Sequence, residues 1–179
     1  MEKNDLSFYL DNQDKINNII EYRNNVNAHF LKEIETAFIT FDDKMDLSGK
    51  RFDRLRFFTS KRNPNLMITV IVEGLMKSER GIYIAVELHK NLLKDKTRYK
   101  ELFENEDQKL GCLNEDFYTN TNMHWAHLAG SPFFLIDDEI ANLSETIVKK
   151  IRDEGFLQIF SQLDNFLLAE NKEQELGVN

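Results

Sequence analysis

Two glutamates, a histidine and a lysine stand where hydrolytic metal chemistry would need them: Glu73 closes one strand-like run, and Glu87-Leu88-His89-Lys90 closes the next. Metal-dependent phosphodiester cleavage uses carboxylates on neighbouring strands to hold Mg²⁺ and a lysine nearby to position or activate water. Glu73, Glu87 and Lys90 are therefore the catalytic candidates, and Mg is the cofactor that reading implies. Otherwise the sequence suggests no cofactor. One spacing departs from that need. Lys90 follows Glu87 by three residues, so strand alternation sends it to the opposite face and leaves His89 in its place. The polar face of a half-covered sheet accounts for Glu87 and His89 without catalysis.

Other reactive side chains are sparse. His124 and His127 flank Trp125 and Ala126 in HWAH. On a helix this spacing would set both imidazoles on one face, as a metal pair requires, whereas on a strand it directs them apart. The alternation around them favours a strand. Cys112 follows Gly111 in a turn-like context with no base beside it. No phosphate-binding glycine loop, dinucleotide fingerprint, zinc ribbon or nucleophile elbow occurs.

The charge is unevenly distributed. Residues 50–62 (KRFDRLRFFTSKR) carry a net +5 and residues 89–100 (HKNLLKDKTRYK) a net +4, in a chain of net charge −8, leaving −17 on the remainder. Arg51, Arg54, Arg56, Lys61, Arg62, Lys90, Lys96 and Arg98 form one basic face if the two segments meet. Basic residues interleaved with aromatics such as Phe57 and Phe58 can contact phosphates and stack on bases. A nucleic-acid partner bound this way would be lost steeply as salt rises. A charged edge strand that blocks aggregation explains residues 50–62 as well. The acidic remainder suits a third role, a decoy that mimics nucleic acid and blocks a DNA-binding protein.

These residues need elements to place them. Apolar positions from Ile16 to Phe38 recur at helical spacing, so a helix is expected over roughly 13–38. Its stripe is long enough to serve both the core and a second protomer, with Ile19, Ile20, Phe30 and Phe38 as pairing candidates. Residues 41–49 read as a polar turn. Strands follow at Arg51–Thr59, Leu66–Glu73 and Gly81–His89, a three-strand meander joined first at Asn63-Pro64-Asn65. A helix is expected over 94–110 and a fourth strand over 117–127, broken by Gly130-Ser131-Pro132. Helices over 140–151 and 156–168, separated by Gly155, precede a polar tail at 170–179 that should fray.

From Gly81 to Leu168 the chain resembles the C-terminal part of prokaryotic PD-(D/E)XK-superfamily proteins of unknown function. The likeness lies in the strand ending VELHK, the helix KTRYKELFENEDQKL, the Trp-bearing strand HWAHL and the closing helical pair. It implies a restriction or phage-defence setting. Such proteins carry their nuclease motif upstream, with an aspartate usual where Glu73 stands. The long helix and basic strand found upstream here do not carry it, which favours an accessory module.

The sequence thus predicts an α+β domain over 1–169: an N-terminal helix to about 40, a sheet of about four antiparallel strands with one inserted helix over 50–136, and a helical pair over 138–169. Fourteen Phe and only two Pro support a packed core. The polar N-terminus, the absence of a long apolar run and the single cysteine point to a cytoplasmic chain with no membrane contact. The expected function is non-catalytic binding of a partner protein or nucleic acid, with homodimerisation through the first helix.

Overall fold

The computed structural model describes residues 3–47, 55–73, 80–93, 96–104, 112–113 and 124–175. The chain is α+β. Helix α1 (Lys3–Ile39) leads into five strands, β1 (Met45–Leu47), β2 (Leu55–Ser60), β3 (Leu66–Glu73), β4 (Gly81–His89) and β5 (Trp125–Phe134). A 3₁₀ turn (Lys90–Leu92) and helix α2 (Lys96–Glu104) lie between β4 and β5, and α3 (Asp137–Ala141), α4 (Leu143–Asp153) and α5 (Phe156–Glu175) follow. The strands pair in chain order, every neighbour antiparallel, so the sheet is a meander throughout.

Side-chain alternation decides which face the helices cover. Ile68, Val70 and Val72 of β3, with Ile82, Ile84, Val86 and Leu88 of β4, turn inward and are buried. Against them pack Ile34 and Phe38 of α1, Leu143, Ile147 and Ile151 of α4, and Phe156, Ile159, Phe160, Leu163 and Leu167 of α5, in one continuous cluster. The Phe38 ring stacks on Phe58 of β2. Phe38 is therefore core, and the partly buried Phe30 packs against the core's edge.

Several boundaries differ from the sequence reading, each for a local reason. Helix α1 begins ten residues early, with Asp5 in its first turn favourably placed against the helix dipole. A fifth strand, β1, appears within residues read as a polar turn; three residues are too few to show a period. Strand β5 runs straight through Gly130-Ser131-Pro132. It ends the strand order, where a proline's missing N–H is tolerated. At Gly130 the Tyr83 hydroxyl stands where a Cβ would be, so a larger residue there would require the Tyr83 side chain to move. The expected helix at 140–151 is two, divided at Asn142, whose φ of −116° and ψ of 46° leave helical geometry. Gly155 takes φ 88° and turns the chain from α4 into α5, which continues to Glu175 through most of the tail expected to fray. Residues 51–54, 94–95, 105–111, 117–123 and 176–179, to which strand, helix or tail was assigned, lie outside the described residues.

One polar cluster ties the sheet to α5. Asp164 is buried, and its carboxylate accepts from Ser60 Oγ at 2.6 Å, Asn63 Nδ2 at 2.5 Å and Arg62 Nε at 2.7 Å. The Asn63 amide also donates to the Asp164 carbonyl at 3.0 Å. Removing the carboxylate strands three donors at the β2–β3 turn. Asp164→Ala is expected to cost about 2–4 kcal/mol, measured as a lower urea midpoint at unchanged slope. A change inside experimental error would mean the cluster contributes nothing to stability.

Candidate functional site

Register decides the fate of the acidic candidates. Glu73 pairs with Gly81 and Glu87 with Met67, at opposite ends of the β3–β4 ladder. Six residues of strand separate them, roughly 20 Å at about 3.3 Å each. The register thus sets the backbone positions of Glu73 and Glu87 far apart along the ladder and does not bring them together around one Mg²⁺. Antiparallel pairing is the cause: it brings the end of one strand against the start of the next. Among the described residues no group of three His, Cys, Asp or Glu side chains is placed to hold a metal ion.

Glu87 has a different partner. It lies opposite His127 of β5, beside a register shift at Val86/Glu87, with its Oε2 3.7 Å from His127 Nε2. Glu87 is 4% exposed, and burial raises its carboxyl above the ordinary value, with the Thr69 hydroxyl and His127 pulling it partly back. His124, in turn, stacks on His89 with ring centroids 6.1 Å apart, and His89 meets Trp125 edge-on at 5.4 Å. The two histidines of HWAH thus serve different partners and do not converge as a metal pair. The Glu87–His127 pair escaped sequence reading because its members lie forty residues apart and depend on the bulge.

The basic segments do approach each other, through α5. Arg62 pairs with Asp164 and also donates to Asn165 Oδ1 at 3.0 Å, while Arg98 pairs with Glu170 and lies over the Phe166 ring. Asp164 and Glu170 are about 9 Å apart along the helix at 1.5 Å per residue. Each arginine is matched by a carboxylate there. Arg56 is buried, with Nε 2.7 Å from Glu35 of α1, and Lys61 stands 3.6 Å from Asp46. Arg51 and Arg54, and the side chain of Lys96, lie outside the described residues. The described arginines of the two segments hold β2 and α2 to the helices.

Helix α1 offers a surface that the core does not use. At 37 residues it is about 55 Å long, far beyond the sheet it covers. Its inner part, from about Val26, packs on the body. Nearly every residue from 5 to 25 is exposed, including Phe8, Ile19 and Tyr22 at 66–68% and Leu10 and Ile20 at 59% and 50%. Residues 5, 9, 12, 16, 19, 23, 26 and 30 recur at intervals of four and three, so Tyr9, Ile16 and Ile19 lie on the side that becomes core at Phe30. Ile19 and Ile20 were legible in the sequence. Leu6, Phe8, Tyr9 and Leu10 were missed because Asp11 and Asn12 resemble a helix start. The described helices include none long and apolar enough to cross a membrane.

No family model, curated protein or solved structure matches this chain. The resemblance of residues 81–168 rests on its sequence pattern alone.

The Glu87 carboxyl carries a pH signature. A folded-state value raised above the unfolded one gives stability that is complete below the unfolded value, 4.5, and declines as pH rises through the folded one. Glu87→Gln is therefore expected to raise Tm at pH 7 by a few degrees and to lose that advantage near pH 4, by thermal melts across the range. A variant less stable than the parent at pH 7 would contradict the burial penalty.

Proposed function

We propose that this chain is a non-catalytic protein-interaction module whose contact element is the outer half of α1, residues 5–25. One observation carries the reading: the side of α1 that seals the core continues, in phase, beyond the body, where it carries Tyr9, Ile16 and Ile19. Large contiguous apolar surfaces on a folded chain mark interaction sites. The charge-paired arginines give the basic segments less claim to that role, and the register that separates Glu73 from Glu87 favours a binding role over catalysis by that pair. An adaptor of this kind fits the accessory role that the PD-(D/E)XK resemblance implies. Its partner would present an apolar helix or groove, read by anchors spaced three and four residues apart.

A photo-reactive residue placed at Ile19 tests the assignment in the cells the chain comes from, with the same residue at exposed Asp138 of α3 as control. Cross-linking from position 19 to a protein of defined mass, in clear excess over position 138, is the expected result. No adduct at 19, or equal adducts at both, overturns the reading. Ile19→Ser with Ile20→Ser should abolish the contact while leaving Tm within about 1 °C, since neither side chain is part of the core.

A further inference from the structure

We propose that the occupant of the outer α1 face is a second copy of this chain, its helix lying antiparallel to the first about a two-fold axis beside Asp14. The inference rests on the reading of α1 as the contact element and supplies the partner. The stripe at 5, 9, 12, 16, 19 and 23 carries a negative charge, Asp5, at one end and a positive charge, Arg23, at the other. Within one helix they are about 27 Å apart. An antiparallel pair about residue 14 sets residue i opposite residue 28 − i, so Asp5 faces the partner's Arg23, and the reverse pair forms by symmetry.

The same operation matches the apolar residues. Tyr9 falls opposite Ile19, and on the two flanks of the seam Phe8 lies beside the partner's Tyr22 and Leu6 beside the partner's Ile20. Asp14 itself, 180° around the helix from Asp5, points away from the partner, so the like charges beside the axis do not meet. Parallel pairing reverses the electrostatics: Asp5 would face Asp5 at one end of the stripe and Arg23 would face Arg23 at the other.

A second, independent observation agrees with the axis. The helical segment free of the body spans residues 5–25, and its midpoint is residue 15. Each partner helix therefore ends where the other body begins, and the antiparallel pair fills the free length. Six apolar side chains per copy, each giving up roughly 100 Å², would bury about 1,200 Å² in total, at the low end for a specific interface. A dissociation constant on the order of micromolar is expected for such an interface.

Sedimentation equilibrium of the purified full-length chain tests the proposal directly. The expected species at tens of micromolar is a dimer of twice 21.1 kDa. Asp5→Arg alone and Arg23→Asp alone should each weaken it by about tenfold or more, and the two combined should restore it, because the swap rebuilds both ion pairs. All the exchanged residues are exposed, and circular dichroism confirms that each variant is folded. Chains bearing Tyr9→Cys and chains bearing Ile19→Cys, mixed and oxidised, should form the mixed disulfide in preference to either symmetric one; the native Cys112 is buried. A dimer indifferent to the charge changes, or one giving symmetric disulfides, overturns the antiparallel pair. A monomer whose position-19 cross-link is to another protein overturns self-pairing and leaves the contact role of α1 standing. A monomer with no cross-link removes both.

Discussion

A buried carboxylate needs partners, and Asp164 shows how much of this architecture serves that need. A charge enclosed without compensation costs several kcal/mol, so the groups around it must arrive together or the helix cannot dock. Here they come from one short turn: Ser60, Arg62 and Asn63 converge on Asp164 from the β2–β3 connection. The turn is fixed by the helix, and the helix is fixed by the turn. Ser60 Oγ also accepts from the backbone N–H groups of Arg62 and Asn63, so the turn arrives already shaped. With α5 docked, its apolar side is committed to the sheet. The Arg98–Glu170 pair then holds α2 to α5.

The same logic applies to the described residues of the first basic segment. A run such as KRFDRLRFFTSKR invites an external anion, yet the structure supplies internal ones: Glu35 for Arg56, Asp46 for Lys61 and Asp164 for Arg62. Each of these three cations is matched within the fold. The overall charge of −8 conceals this local pairing. Exposed pairs such as Lys61–Asp46 contribute little, while the largely buried Arg56–Glu35 contact holds the orientation of α1 on β2.

Much of the fold was legible because its signals are local. The β3 and β4 limits follow from apolar runs bounded by Asn63-Pro64-Asn65 and Gly81, and the α5 stripe from Phe156 to Leu167 is plain helical periodicity. Gly155 marked its turn correctly. What escaped depends on context. Three residues at Met45–Leu47 have no readable period, and Pro132 sits in a strand only because that strand lies at the border of the sheet. Pairings such as Arg62 with Asp164, 102 residues apart, exist only once the chain has folded. For the contact surface, Ile19 and Ile20 could be named from the sequence, but periodicity alone could not say that Phe38 belongs to the core and Phe30 to its edge while Tyr9 stands outside. That division is set by where the sheet ends.

Cys112 has a consequence of a different kind. Its Sγ donates to the Glu154 carbonyl at the α4–α5 turn, and burial pushes the thiol up to about 11. At neutral pH only about one molecule in ten thousand carries the reactive thiolate. The sulfur is thus chemically silent while the α4–α5 corner stays closed. An alkylating reagent that modifies it counts the moments when that corner comes apart, so this side chain is a built-in clock for local opening.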